Sequence, residues 1–218
     1  MCSAKNSYFI AGTDTGVGKT YLSVLLLRAF NQAGLKTVGL KPLATGGYHT
    51  PLGWRHPDAL ALQREASVSL AYEQVNPVCL AAPIAPHIAA AHSSLTLTVE
   101  GLLHRCSPAL ACVSDVVVIE GVGGWQVPLN ATETMADFVK ALGATVILVV
   151  GMRLGCLNHA LLTAEAIRAR HIPWGGWIAN CIDPHMRALE DNIEALRERL
   201  PVPLLGSIGI STMPGVNR

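Results

Sequence analysis

The sequence predicts an α/β fold, a single domain with a predominantly parallel sheet and helices on both faces, and three observations carry that expectation. Short apolar or β-branched runs alternate with helix-length periodic segments, the order from which parallel sheets are wound. Half of the 218 residues are hydrophobic, 14% are charged and 5% are aromatic. The core is therefore to be filled by Ala, Val, Leu and Ile, as in strands buried on both faces. The length suits one well-buried core better than two, so residues 1–218 read as one domain.

Strands are expected at Tyr8–Ala11, Thr37–Leu40, Val116–Ile119, Thr145–Val150, Trp177–Ala179 and Leu204–Leu205. Between them, Lys19–Ala33, Asp58–Ala66, Val99–Ala111, Thr134–Leu142, Asn158–Arg170 and Arg187–Leu200 read as helices, several with an apolar residue every three or four positions. Right-handed crossovers would gather the loops that follow the strands along one edge of the sheet. Pro42–Pro57 is the longest stretch without periodicity, and loops of that length in compact domains are commonly functional or mobile. The longest apolar run, Ala144–Gly151, falls far short of the roughly 20 residues that cross a bilayer and reads as a buried strand.

Charge and cysteines narrow the function classes. A formal charge of +1 gives no electrostatic reason for a polyanionic partner, so a small molecule is the expected ligand, with neither nucleic acid nor membrane. Cys2, Cys79, Cys106, Cys112, Cys156 and Cys181 are scattered without a Cys-x-x-Cys pair and read as reduced thiols. The chain opens without a basic and apolar targeting segment, because Tyr8-Phe9-Ile10-Ala11 runs straight into a glycine loop. A cytoplasmic location is expected.

That glycine loop, Gly12-Thr13-Asp14-Thr15-Gly16-Val17-Gly18-Lys19-Thr20, stands between a strand and a helix. Its glycines allow the backbone to curl so that successive N–H groups face one anion, and the helix N-terminus adds partial positive charge. Lys19 would neutralise phosphates and the Thr20 hydroxyl would sit on magnesium. The spacing is one residue longer than the usual P-loop pattern, but the strand before it and the helix after it supply the mechanical context.

The other strand ends decide what the phosphate does. Lys41, followed by Pro42, is held at the end of the second strand; an exposed lysine would be the alternative. Glu120 follows four apolar residues and precedes Gly121-Val122-Gly123-Gly124, the position where P-loop proteins hold magnesium. Asp58 opens a helix and is either a magnesium ligand or an ordinary N-cap. Gly151–His159 is a strand-to-helix turn with backbone donors suited to a carboxylate, or a plain connection in which His159 is structural. Asn180 ends a strand with both a donor and an acceptor, as a purine edge requires, or forms a turn.

Together these pieces resemble the dethiobiotin synthetase family along nearly the whole chain. The matching motifs, in the family's order, are the P-loop, Lys41-Pro42, Asp58-Ala59-Leu60, Asn76-Pro77, Ala85-Pro86-His87, Glu120-Gly121-Val122-Gly123-Gly124-Trp125, Leu154-Gly155-Cys156-Leu157-Asn158-His159 and Gly176-Trp177-Ile178-Ala179-Asn180. The resemblance implies a P-loop fold and an ATP- and Mg2+-dependent ligase in biotin biosynthesis. Its substrates would be 7,8-diaminononanoate and carbon dioxide, with a ureido ring closed at the expense of ATP. It implies that Lys19 and Lys41 are catalytic and that Thr20, Asp58 and Glu120 organise the metal. Gly16, Val17, Gly18, Tyr21, Gly121, Val122, Gly123, Asn180, Cys181, Gly209, Ile210 and Ser211 are implied at the nucleotide. Thr15, Thr45 and the segment Leu154, Gly155, Cys156, Leu157 and Asn158 are implied at the substrate, the last from the other subunit of a homodimer. The chain departs from the family pattern at Gly16, at Cys181 and at Ser207-Ile208-Gly209.

The competing reading is a P-loop switch ATPase of the partitioning type. Such loops carry an extra lysine near their start, where this chain has Asp14 and Thr15.

Overall fold

The computed structural model describes residues 6–209. Strand β1 (Ser7–Gly12) passes through the glycine loop into α1 (Lys19–Gln32) and β2 (Thr37–Leu40). Next come β3 (Leu43–Thr45), β4 (Tyr48–Thr50), β5 (Gly53–Arg55), α2 (Pro57–Glu65), α3 (Tyr72–Val75), β6 (Val78–Leu80), α4 (Pro86–His92) and α5 (Val99–Leu110). The second half contains β7 (Val116–Glu120), α6 (Met135–Leu142), β8 (Thr145–Gly151), α7 (Cys156–Ala169), β9 (Trp174–Asn180), α8 (Leu189–Arg199) and β10 (Leu204–Ile208).

Six strands form one sheet in the order β10-β9-β8-β1-β7-β2, every neighbouring pair parallel. The chain leaves β1 for the β2 edge, returns to β7, and then crosses to β8 on the other side of β1. Loops diverge at such a switch, and the crevice they leave beyond the strands' carboxyl ends is where ligands bind in open α/β sheets.

Because successive strand residues face opposite sides, the sheet has two cores. Ile10, Val116, Val118, Ile147 and Val149 pack with Leu22, Leu27 and Leu62 of α1 and α2. Phe9, Val117, Ile119, Val146 and Leu148 pack with Leu102, Phe138, Ala160 and Ile193 of α5 to α8. Each fully buried Leu, Ile, Val or Phe contributes roughly 1.5–3 kcal/mol. Gly39 lets α2 lie close on β2, since a Cβ there would come 3.0 Å from Leu62 Cβ.

All six predicted strands are present, and the predicted helices start and end within a few residues of the observed ones. Strand β9 starts earlier than expected, at Trp174, because Gly175 and Gly176 mask its apolar run. A Cβ on Gly176 would lie 2.6 Å from Leu205 Cγ, so the neighbouring strand's side chain fills that place. The expectation of one long loop over Pro42–Pro57 is corrected, since three short strands lie within it. Leu43–Thr45 pairs in parallel with β6, and Tyr48–Thr50 and Gly53–Arg55 form an antiparallel hairpin. Three-residue strands are too short to show alternation in the sequence.

Candidate functional site

The P-loop is shaped by its glycines. Gly16 and Gly18 take φ of 73° and 93°, the left-handed region that side chains avoid. Gly18 is the N-cap of α1, with no side-chain cap and no acidic residue in the first turn. The first-turn N–H groups of Lys19, Thr20 and Tyr21 are thus left for an anion. Asn180, at the end of β9, donates from Nδ2 to the Val17 carbonyl at 2.7 Å, and a Cβ on Gly18 would lie 2.1 Å from that same nitrogen. Asn180 therefore braces the P-loop, with its amide donor engaged there.

Lys19 Nζ donates to the carbonyls of Asp14 at 2.9 Å and Gly123 at 2.5 Å, tying the P-loop to the loop after β7. Burial and then the Lys41 charge pull its pKa down to about 8, against Glu120, Asp58 and Asp14. Asp14 accepts the Thr15 N–H and pairs with Arg153, a contact that the sequence did not disclose. Gly121 is buried, Val122 half-buried, and a Cβ on Gly121 would meet the Phe9 ring at 2.9 Å.

Lys41, Asp58, Glu120 and Thr20 converge beside this loop. Lys41 is buried, 3% exposed, which excludes the exposed-lysine alternative. Its ammonium lies 2.5 Å from Glu120 Oε1, 3.0 Å from Asp58 Oδ2 and 3.0 Å from the Gly121 carbonyl. Burial alone would lower its pKa, but the two carboxylates outweigh it and hold Lys41 above the ordinary lysine value. The Thr20 hydroxyl also donates to Glu120 Oε1, at 2.8 Å. Burial pushes the Glu120 carboxyl up against the pull of Lys41. For Asp58, burial is outweighed by Lys41 and His56, and the carboxyl ends below its ordinary value.

The N-cap alternative for Asp58 fails. His56 Nδ1 accepts the Asp58 N–H at 3.2 Å and is itself the cap of α2, with Pro57 in the first turn. Proline just inside a helix start is a sequence signal that could have placed the cap on His56. The Asp58 side chain is thereby left for the cluster. Thr45 ends β3, and the His56 pKa is lowered, chiefly by burial.

The donor set suits a hard divalent cation. Glu120 Oε2 is buried with no hydrogen-bond partner, an orphaned anionic oxygen beside Asp58 and Thr20. Among the described residues no three His, Cys, Asp or Glu side chains are grouped to hold a metal unaided. Two carboxylates and a hydroxyl fit magnesium, which retains waters and takes oxygens from phosphate.

The remaining sequence-predicted residues follow β8, β9 and β10. Leu154 is 97% exposed, whereas the Cys156 side chain is buried and its N–H is engaged by the Arg153 carbonyl at 3.0 Å. Gly155 caps α7 with φ 92°, and Leu157 and Asn158 follow in a first turn without acidic residues. Cys181 is buried and Gly209 exposed, while Ile210 and Ser211 lie outside the described residues.

A family model described as an AAA domain matches residues 6–212. The ATP-dependent dethiobiotin synthetase BioD of Cellvibrio japonicus is 50% identical over 94% of this chain and 90% of its own. The enzyme of that name from Xylella fastidiosa is 47% identical over 97% and 93%. The chain belongs to the dethiobiotin synthetase family. Solved structures resemble it more distantly. The septum site-determining protein MinD from Pyrococcus horikoshii, complexed with Mg-ADP, has a TM-score of 0.53 at 16% identity, covering 94% of this chain and 82% of that one. Likeness at that identity shows the P-loop fold alone. Membership of the dethiobiotin synthetase family therefore outweighs the partitioning-type reading.

Proposed function

We propose that the protein is an ATP- and magnesium-dependent dethiobiotin synthetase that carboxylates 7,8-diaminononanoate and closes its ureido ring. The observation that carries this reading is the convergence of Lys19, Lys41, Thr20, Asp58 and Glu120 at the carboxyl ends of β1, β2 and β7. One amine adds to carbon dioxide and loses a proton, giving a carbamate. A carbamate oxygen then attacks the γ-phosphorus of ATP, with ADP leaving. The second amine attacks the carbonyl carbon, loses a proton and expels phosphate, closing the cyclic urea.

A free carbamate oxygen is a poor leaving group, which is why phosphorylation is needed. The protein's contribution is positioning and charge neutralisation. Lys19 and Lys41 gather γ-phosphate and carbamate oxygens as negative charge moves between them. Thr15 and Thr45 orient the substrate head, and Tyr21, Val122 and Gly209 line the nucleotide with the P-loop. Thr20, Asp58 and Glu120 would hold a magnesium ion, which would supply positive charge against that of the phosphates.

The active form is a homodimer in which the segment Leu154–Asn158 of one subunit receives the substrate carboxylate of the other. Full exposure of Leu154 and the acid-free first turn of α7 support this. The cytoplasm is the proposed location, in keeping with ATP as co-substrate and the free cysteines among the described residues. Among those residues, no helix is long and apolar enough to cross a membrane. Incubation with ATP, magnesium, the diamine and bicarbonate carrying heavy carbon tests the reaction. The label is expected in the ureido carbonyl by mass spectrometry; unlabelled or absent product contradicts it.

A further inference from the structure

Lys41 and Asp58 belong to separate elements, with the β4–β5 hairpin between them in the chain. Behind them lies a chain of buried hydrogen bonds built on α3. The Tyr72 hydroxyl accepts the His56 backbone N–H at 2.7 Å and donates to Asn76 Oδ1 at 2.9 Å. Asn76 Nδ2 donates to the Lys41 carbonyl at 2.6 Å and to the Val78 carbonyl at 3.1 Å. The Lys41 N–H is taken by the Val75 carbonyl at 2.8 Å. Both backbone groups of Lys41 are thus held by α3 and the residue after it. The same helix holds His56, which caps α2 two residues before Asp58.

Tyr72 and Asn76 are 6% and 3% exposed. The phenol uses its acceptor and its donor, and both Asn76 amide hydrogens are engaged. Fully satisfied buried networks of this kind fix geometry, whereas one broken link leaves a costly unpaired group. Arg55 closes the assembly from outside, its guanidinium 4.2 Å from the Tyr72 ring centroid and 3.1 Å from the Glu73 carboxylate.

We propose that Tyr72 and Asn76 are positioning residues that set the separation of Lys41 and Asp58 through this relay, and so the readiness of the site for magnesium and the carbamate. The inference extends the proposed function and rests on it for the turnover readout and for the magnesium ligands. Neither side chain touches the reacting groups; both act through the backbones of Lys41 and His56.

Tyr72→Phe removes one oxygen and keeps the packing. Turnover is expected to fall about tenfold and half-saturating magnesium to rise about threefold. A second readout needs no turnover: the rise in melting temperature caused by AMPPNP, titrated with magnesium. Tyr72→Phe should move that titration to higher magnesium and leave the rise without magnesium unchanged. Asn76→Ser, whose side chain is too short to reach the Lys41 carbonyl, should give the same signature and serves if Tyr72→Phe does not fold. Ile193→Ala, in the far core, should lower the melting temperature without moving the magnesium titration. A Tyr72→Phe protein that melts earlier but keeps wild-type turnover and magnesium dependence overturns the relay. Wild-type protein without diamine-dependent ADP release overturns the proposed function instead, and the AMPPNP titration still decides the relay.

Discussion

Burying an ammonium ion costs several kcal/mol unless opposite charges and hydrogen bonds surround it. Lys41 is buried with two carboxylates and a carbonyl around it, an arrangement that keeps it charged where phosphate oxygens are proposed to arrive. Lys41→Ala should reduce kcat well over tenfold, at about 1.4 kcal/mol per decade, with a smaller effect on nucleotide affinity. Unchanged turnover removes Lys41 from the chemistry. Glu120 and Asp58 differ in burial, 1% against 30% side-chain exposure, but are proposed to share one metal. Asp58→Asn and Glu120→Gln should each raise half-saturating magnesium, and a titration curve that stays in place for both sinks the assignment.

Element ends matter as much as single side chains. At the start of α6, Asp137 Oδ2 accepts the Thr134 N–H at 2.8 Å and its hydroxyl at 2.7 Å. Burial pushes the Asp137 carboxyl up, but Thr134 and Arg170 outweigh it and its pKa lies below the ordinary 3.8. A carboxylate with a depressed folded pKa contributes stability above its unfolded pKa and loses it as pH falls through the folded one. Asp137→Ala should therefore lower stability near neutrality, by little because the carboxylate is partly screened by solvent. The gap from wild type should close below pH 3.8, as acid unfolding curves of the two proteins would show. A gap independent of pH would mean that the charge plays no part.

The six sheet strands could be located because each run is apolar or β-branched or ends at a charged or amide side chain. The short pair β3 and β6 could not, since three residues carry no period. Within the site, Lys19, Lys41, Asp58 and Glu120 were legible because each occupies a strand or helix end. His56, Tyr72 and the Arg153–Asp14 pair were not, because their partners are fixed only when distant segments fold together.

At the scale of the whole molecule, the sheet order places the P-loop at the switch between β7 and β8 and leaves Leu154 bare on the surface. The segment that follows, Leu154–Asn158, is the one proposed above to lie at a subunit interface. Leu154→Asp is expected to shift dimer to monomer in light scattering and to raise KM for the diamine several-fold, with nucleotide affinity unchanged. A fully dimeric, fully active variant would remove the segment from the interface.

On the proposed mechanism ATP is consumed only to activate a carbamate on the diamine. ADP release, followed with ATP, magnesium and bicarbonate present, tests it most directly when compared with and without 7,8-diaminononanoate. Release should depend on the diamine and match cyclic urea formation mole for mole; ADP release indifferent to the diamine would mean that the protein hydrolyses ATP without activating a carbamate.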